Sequence, residues 1–242
     1  MPPTHSADTY TMLKRGVDDA AFMATEHQLH FASQLGTRPK WRLHTANGTA
    51  EFITKHGTII TAEIHPIAIM DGTTWTWAWE DNRTANINGA AALQVKQFGE
   101  DNENRLLTRS SYPLTKAYTR VTPEQLIALS KNIHRVWRHF IFDMPDKSRL
   151  YAAIHLPQVE LPAATSSTIA QTVRKTHDLF SLNKYRRALL SYARLRGIAY
   201  QENRSHTQLR LLTNNDTVRF SWDTGALTID EVELKTHTSM RH

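Results

Sequence analysis

An α+β protein built on an antiparallel β-meander is predicted by three observations. Residues 7–35 repeat apolar side chains at three-to-four spacing. From Trp41 to Glu80 the period drops to two and is broken by Asn47-Gly48 and Asp71-Gly72. After Pro157 and Pro162 the pattern becomes helix, helix and strands. The chain has 242 residues, 40% hydrophobic and 21% charged, enough to bury one large core or two modest ones without staples.

The first helix rests on Leu13, Val17, Ala20, Ala24, His27 and Phe31, with Gly36 and Pro39 as its stop. Asn47-Gly48 then predicts a hairpin of Trp41–Ala46 with Thr49–Thr54, since both turn residues tolerate positive φ. A two-residue turn sets Leu43 against Phe52, Trp41 against Thr54, His44 against Glu51 and Arg42 against Ile53. A second turn at Asp71-Gly72 joins Thr58–Ile69 to Thr73–Glu80, setting Trp75 against Ala68, Trp77 against Pro66, Trp79 against Ile64 and Glu63 against Glu80. Pro66 implies an edge or a bulge.

Ile87, Ala91, Val95 and Phe98 outline a short helix stopped by Gly99, and residues 104–110 read as a strand. Thr122-Pro123-Glu124-Gln125 is a capping box, followed by an apolar stripe of Leu126, Leu129, Ile133, Trp137 and Phe140. Residues 149–156 form the last strand of this region. The predicted organisation is a domain over 7–156, a linker at 157–167, and a smaller module over 168–235. That module holds helices at 167–180 and 182–195 and strands near 198–202, 208–213, 218–223 and 226–232.

The chain contains no cysteine, which excludes disulfides, thiolate zinc sites, iron–sulfur clusters and cysteine nucleophiles. No secretory pattern opens the sequence, and the longest apolar run, residues 64–70, is too short for a bilayer. A cytoplasmic protein without membrane insertion is therefore expected. The net charge of +6 is weighted toward residues 151–242, with twelve basic against eight acidic side chains there.

Gly72-Thr73-Thr74-Trp75-Thr76-Trp77-Ala78-Trp79 resembles the hallmark of an uncharacterised bacterial family, Gly-Thr-Trp-x-Trp-Ala-Trp-Ala-Asn, late in an N-terminal meander. Trp41, Phe52, Phe98-Gly99-Glu100 and Leu150-Tyr151 follow the order of that family, so the resemblance spans residues 8–156. Glu80-Asp81 stands where the family has Ala-Asn. The resemblance implies a fold and no chemistry.

Four constellations carry functional readings. Trp75, Trp77 and Trp79 share one face and could line a groove for a planar ligand, although the inner face of a sheet is the simpler reading. Glu63, His65, Glu80 and Asp81 would gather on the opposite face, where opposed carboxylates could furnish a general acid or hold a cation. Glu26, His27 and His30 on the first helix, and His134, Arg138 and His139 further on, lack any recognised ligand spacing, so no metal site and no cofactor are expected. Arg174, Lys175, Lys184, Arg186, Arg187, Arg194 and Arg196 accompany Asp178 alone, with Tyr185 and Tyr192 interleaved. Lys184, Arg187 and Arg194 form a basic stripe while Tyr185, Leu189 and Tyr192 face the strands. No nucleophile elbow or phosphate loop is present. Ser130-Lys131 and Ser181–Lys184 only touch on a Ser-x-x-Lys pattern, and Ser181 is explained as a helix cap. The expected function is a non-enzymatic binding protein whose basic C-terminal helices meet a protein or other anionic partner. Nucleic-acid binding through residues 174–196 and an enzyme using the carboxylate and histidine cluster are the alternatives.

Overall fold

The computed structural model describes residues 7–37, 39–115, 119, 121–223 and 227–234. Its Cα framework divides into two compact units, one of residues 1–17 and 27–160, the other of residues 18–26 and 161–242. The long helix α1 (Ala7–Leu35) therefore lends its middle to the second unit. It stops where expected: Gly36 takes φ +83 and its N–H reaches Ala32 O at 2.9 Å, closing the last turn.

The first unit is a curled antiparallel sheet of seven strands, consistent with the α+β expectation. Strands β1 (Lys40–His44), β2 (Thr49–Ile53), β3 (Ile59–Asp71), β4 (Thr74–Trp77) and β5 (Ser111–Pro113) run in order. Strand β7 (Arg149–His155) joins β3, and β6 (Arg138–Asp143) joins β7. Pro66 coincides with a register shift between Pro66 and Ala68 against β7, the bulge its missing N–H requires. One core gathers Phe31, Phe52, Ile64, Phe142, Leu150 and Ile154. Phe31 meets Phe52 edge-on at 5.4 Å and Trp41 meets Phe142 at 5.1 Å, so the sheet curls around its aromatic face.

Both hairpin registers differ by two residues from the sequence expectation. Trp41 faces Phe52 and Leu43 faces Ala50, because Thr45–Gly48 forms a four-residue loop with Gly48 at φ +65. Trp75 faces Met70 and Trp77 faces Ala68, because the second turn is Gly72-Thr73, with φ +56 at Gly72 and no positive φ at Thr73. A slip of two is even, so every side chain keeps its face.

Three further expectations are corrected. Residues 104–110 hold the short helix α3 (Arg105–Thr108), capped by the Asn104 side chain on Leu106 N–H at 3.0 Å, and no strand. Gly99 lies inside α2 (Ala90–Asp101) rather than ending it, since a Cβ there would sit 2.6 Å from Leu107 Cβ. The capping box of α4 (Pro123–His134) is formed by Thr122 and Gln125, but the helix ends at Arg135 in the left-handed region. Trp137 and Phe140 thus leave the helical stripe, and Phe140 belongs to β6.

In the second unit, α5 (Ser166–Leu179) and α6 (Tyr185–Arg196) precede a four-stranded antiparallel sheet of β8 (Ala199–Glu202), β9 (Gln208–Leu212), β10 (Asp216–Trp222) and β11 (Leu227–Leu234). Thr165 and Thr168 cap α5 reciprocally. Ile169, Val173, Leu189, Leu209, Leu211, Val218 and Phe220 are buried as alternation and helical spacing require.

Candidate functional site

The tryptophans occupy unequal environments. Trp75 and Trp77 are fully buried, 5.4 Å apart and edge to face, and Trp77 Nε1–H donates to Leu106 O at 3.0 Å. Trp79 lies beyond β4, half-buried, with Lys96 Nζ 4.6 Å above its ring.

The carboxylate and histidine residues do not converge as the expected register placed them. Glu63 faces Thr49 on one neighbour and His155 on the other, whereas Glu80 lies past the end of β4, so the two carboxylates are not opposed. Asp81 caps a single 3-10 turn through Arg83 N–H at 2.9 Å and pairs with the Arg83 guanidinium at 2.6 Å, which holds its carboxyl below the usual range. Arg83 also pairs with Asp146 at 2.8 Å, so Asp81 is engaged in tying a loop. His65 Nε2 is 3.7 Å from Glu63, and burial lowers the imidazole's affinity for a proton despite that neighbour. Among the described residues no three metal-ligating side chains converge.

The sheet brings His65 instead into a row with residues that spacing alone does not connect. His65 on β3 faces Ala153 on β7, and Ala153 faces His139 on β6. Helix α4 contributes Lys131, which is 2% exposed, and His134. The charge of Lys131 is felt at both His134 and His139, and that of His65 at His134. Burial pulls the Lys131 ammonium down to about 7 and the His134 imidazolium down to about 4. His134 Nδ1 accepts Val136 N–H at 3.1 Å, leaving its proton on Nε2. That Nε2 and His139 Nδ1 are buried without a hydrogen-bond partner among the described residues. The readable sign was Lys131 four residues after Ile127 on the buried side of a capped helix.

The basic helices look different once α1 is in place. Arg186 forms two hydrogen bonds to Glu202 at 2.6 and 2.9 Å, and Arg187 pairs with Asp19 at 2.5 Å. Arg196 pairs with Glu26 at 3.0 Å and also donates to Pro162 O, while Lys175 pairs with Asp178 at 3.3 Å. Glu26, 7% exposed, also accepts the Tyr192 hydroxyl at 3.0 Å, which removes it from the metal reading with His27 and His30. Arg174, Lys184 and Arg194 are exposed, and their side chains have no carboxylate partner among the described residues. Leu189 and Tyr192 are buried as expected, but Tyr185 is half-buried 5.5 Å from His177, beside an open cleft of about 330 Å³ that also includes Asp178 and Ser181. Ser181 caps nothing: α6 starts after Lys184, and the Asp18 side chain receives the N–H groups there.

Fold and site together define an α+β protein with a curled seven-stranded sheet, a second small sheet and a buried lysine on α4. Residues 15–157 match the model of a family described as a family of unknown function (DUF6882). That match covers more than half of the chain, which therefore belongs to the family. No curated protein and no solved structure matches it. No helix among the described residues is long and apolar enough to cross a membrane.

Proposed function

We propose that this chain is a non-enzymatic binding protein whose second unit engages an anionic partner through Arg174, Lys184 and Arg194. The observation that carries the reading is that, among the described residues, these three exposed cations lack carboxylate partners such as those that neutralise Lys175, Arg186, Arg187 and Arg196. An acidic protein segment suits them better than nucleic acid. Tyr192 is buried and Tyr185 lies against His177, which leaves neither ring as a stacking platform for bases. With Asp18, Asp19 and Glu26 counted, the unit has twelve basic against ten acidic side chains, a small excess for a phosphate-tracking surface.

Fluorescence anisotropy with a labelled polyglutamate peptide and a labelled oligonucleotide tests this at about 50 and about 200 mM salt. The peptide is expected to bind, to weaken with salt and to be lost in the R174E/K184E/R194E variant. Unchanged peptide binding in that variant overturns the reading. Tighter binding of the oligonucleotide transfers the surface to the nucleic-acid alternative. The enzyme alternative has less support, since Glu63 and Glu80 are not opposed and Asp81 is held by Arg83.

A further inference from the structure

We infer that the second unit carries a binding site for a small hydroxylated oxyanion, a sugar acid or sugar phosphate, formed by Gln201, Gln208 and Arg210 on the open face of the small sheet. Alternation sets that face. Leu209 and Leu211 on β9 are fully buried, while Gln208 and Arg210 alternate with them and are exposed. Glu202, opposite Leu209, reaches Arg186 on α6, so the buried face is the helix side and Arg210 points the other way. Gln201 on β8 stands directly opposite Arg210, which stands opposite Arg219 on β10, and Gln208 is two residues from Arg210 on the same side. A cleft of about 200 Å³ opens there, lined by Gln201, Glu202, Asn203, Gln208 and Arg210. It is smaller than the roughly 300 Å³ at which drug-sized sites begin, so it suits one ring-sized ligand.

The lining side chains divide into occupied and available ones. Asn203 Oδ1 accepts the N–H groups of Thr207 and Gln208, and its Nδ2 donates to the Ser205 and Thr207 hydroxyls. Glu202 is engaged twice by Arg186 and once by His206, which offsets its charge. The side chains of Gln201, Gln208 and Arg210 have no hydrogen-bond or ion-pair partner among the described residues. What is available is a guanidinium fork, which matches a carboxylate or phosphate, and two primary amides, each able to donate to and accept from a hydroxyl. The charges point the same way. Arg210 and Arg219 face each other on neighbouring strands, an arrangement that repels, and an anion beside them removes that repulsion. The Asp230 carboxylate on β11, two strands from β9, is taken by Ser221 and Thr228. The site shares no residue with the cations of α5 and α6 proposed to meet an acidic partner.

The test follows the side-chain NH₂ signals of Gln201 and Gln208 and the Nε–H of Arg210 in nitrogen-labelled full-length chain, with glucuronate, glucose 6-phosphate, glucose and inorganic phosphate as probes. Glucuronate or glucose 6-phosphate is expected to shift all three signals, with affinity about tenfold lower in Arg210→Gln through loss of a charge-assisted hydrogen bond. The exposed positions allow Arg210→Gln and Q201A/Q208A to keep the wild-type unfolding midpoint, and R174E/K184E/R194E is expected to bind these probes as wild type does. Equal binding by wild type and Arg210→Gln, or no shift from either sugar anion at tens of millimolar, overturns the inference. Glucose or inorganic phosphate binding as tightly as glucose 6-phosphate also overturns it, since the cleft would then read only one of the two groups.

Discussion

The Asp18 carboxylate accepts the main-chain N–H groups of Asn183 at 2.8 Å and Lys184 at 3.0 Å, so a side chain of α1 caps a helix that starts about 165 residues later. Neither Ser181 nor Lys184 supplies a side-chain cap of its own. The first turn of α6 would otherwise leave these donors unpaired.

That cap has a pH signature. Burial raises the Asp18 carboxyl from 3.8 to about 6, against the two hydrogen bonds that favour its ionised form. The folded state therefore holds this proton more tightly than the unfolded chain. The group's contribution to stability is full below about 3.8 and is lost as pH rises through about 6. Urea denaturation at pH 4, 5, 6 and 7 should show a smaller loss over this window in Asp18→Asn than in wild type. Asp18→Ala should cost about 1–2 kcal/mol near neutral pH through the lost cap. Identical pH profiles in wild type and Asp18→Asn would contradict the assignment.

Glu26, Tyr192 and Arg196 form a second device in the same unit. Arg196 Nε and the Tyr192 hydroxyl each lie 3.0 Å from the same Glu26 oxygen, and the Arg196 side chain is only 13% exposed. Removing the carboxylate strands a nearly buried guanidinium, so Glu26→Ala should destabilise by about 3 kcal/mol. The double variant E26L/R196M should recover much of that loss, read from urea midpoints at constant m-value. A double variant no more stable than Glu26→Ala would show that the charge pair is not what the fold depends on.

Packing of α2 against α3 turns on Gly99. A Cβ there meets Leu107 Cβ at 2.6 Å and a main-chain carbon of Leu107 at 3.2 Å, neither the flexible end of a side chain. Gly99→Ala should therefore cost about 1–3 kcal/mol by overpacking, although alanine favours a helix by about 1 kcal/mol. Gly16 differs, because its nearest neighbour is the terminal Cδ1 of Leu129, which can move. Thermal unfolding should separate the two, with Gly99→Ala the more damaging.

Much of this fold is legible in local chemistry. The α1 stop, the Thr122 capping box, the bulge at Pro66 and the α5 and α6 order all follow from residues within a few positions of the feature. The turns themselves could be read, but their lengths could not. Gly48 and Gly72 provide positive φ under more than one loop length, so each register settled two residues away. Strand β6 was masked because Trp137 and Phe140 happen to continue the helical spacing of α4. The sites depend on contacts between distant segments. Asp19 and Glu26 neutralise arginines about 170 positions away, and the charge of Lys131 on α4 is felt at His139 on β6, a neighbour that helical spacing alone does not predict.

The central claim is that Lys131 is a buried amine with no countercharge, so the decisive measurement is its protonation. Lysine Cε and Nζ resonances of labelled protein, titrated from pH 5 to 11 and assigned by their loss in Lys131→Met, report it directly. The account predicts one lysine with a midpoint at about 7. Because the unfolded chain keeps that proton to about 10.4, wild-type stability should also rise with pH between these values, and Lys131→Met should lack the rise. If every lysine titrates near 10.4, Lys131 is solvated or paired and the account of a buried amine without countercharge is contradicted.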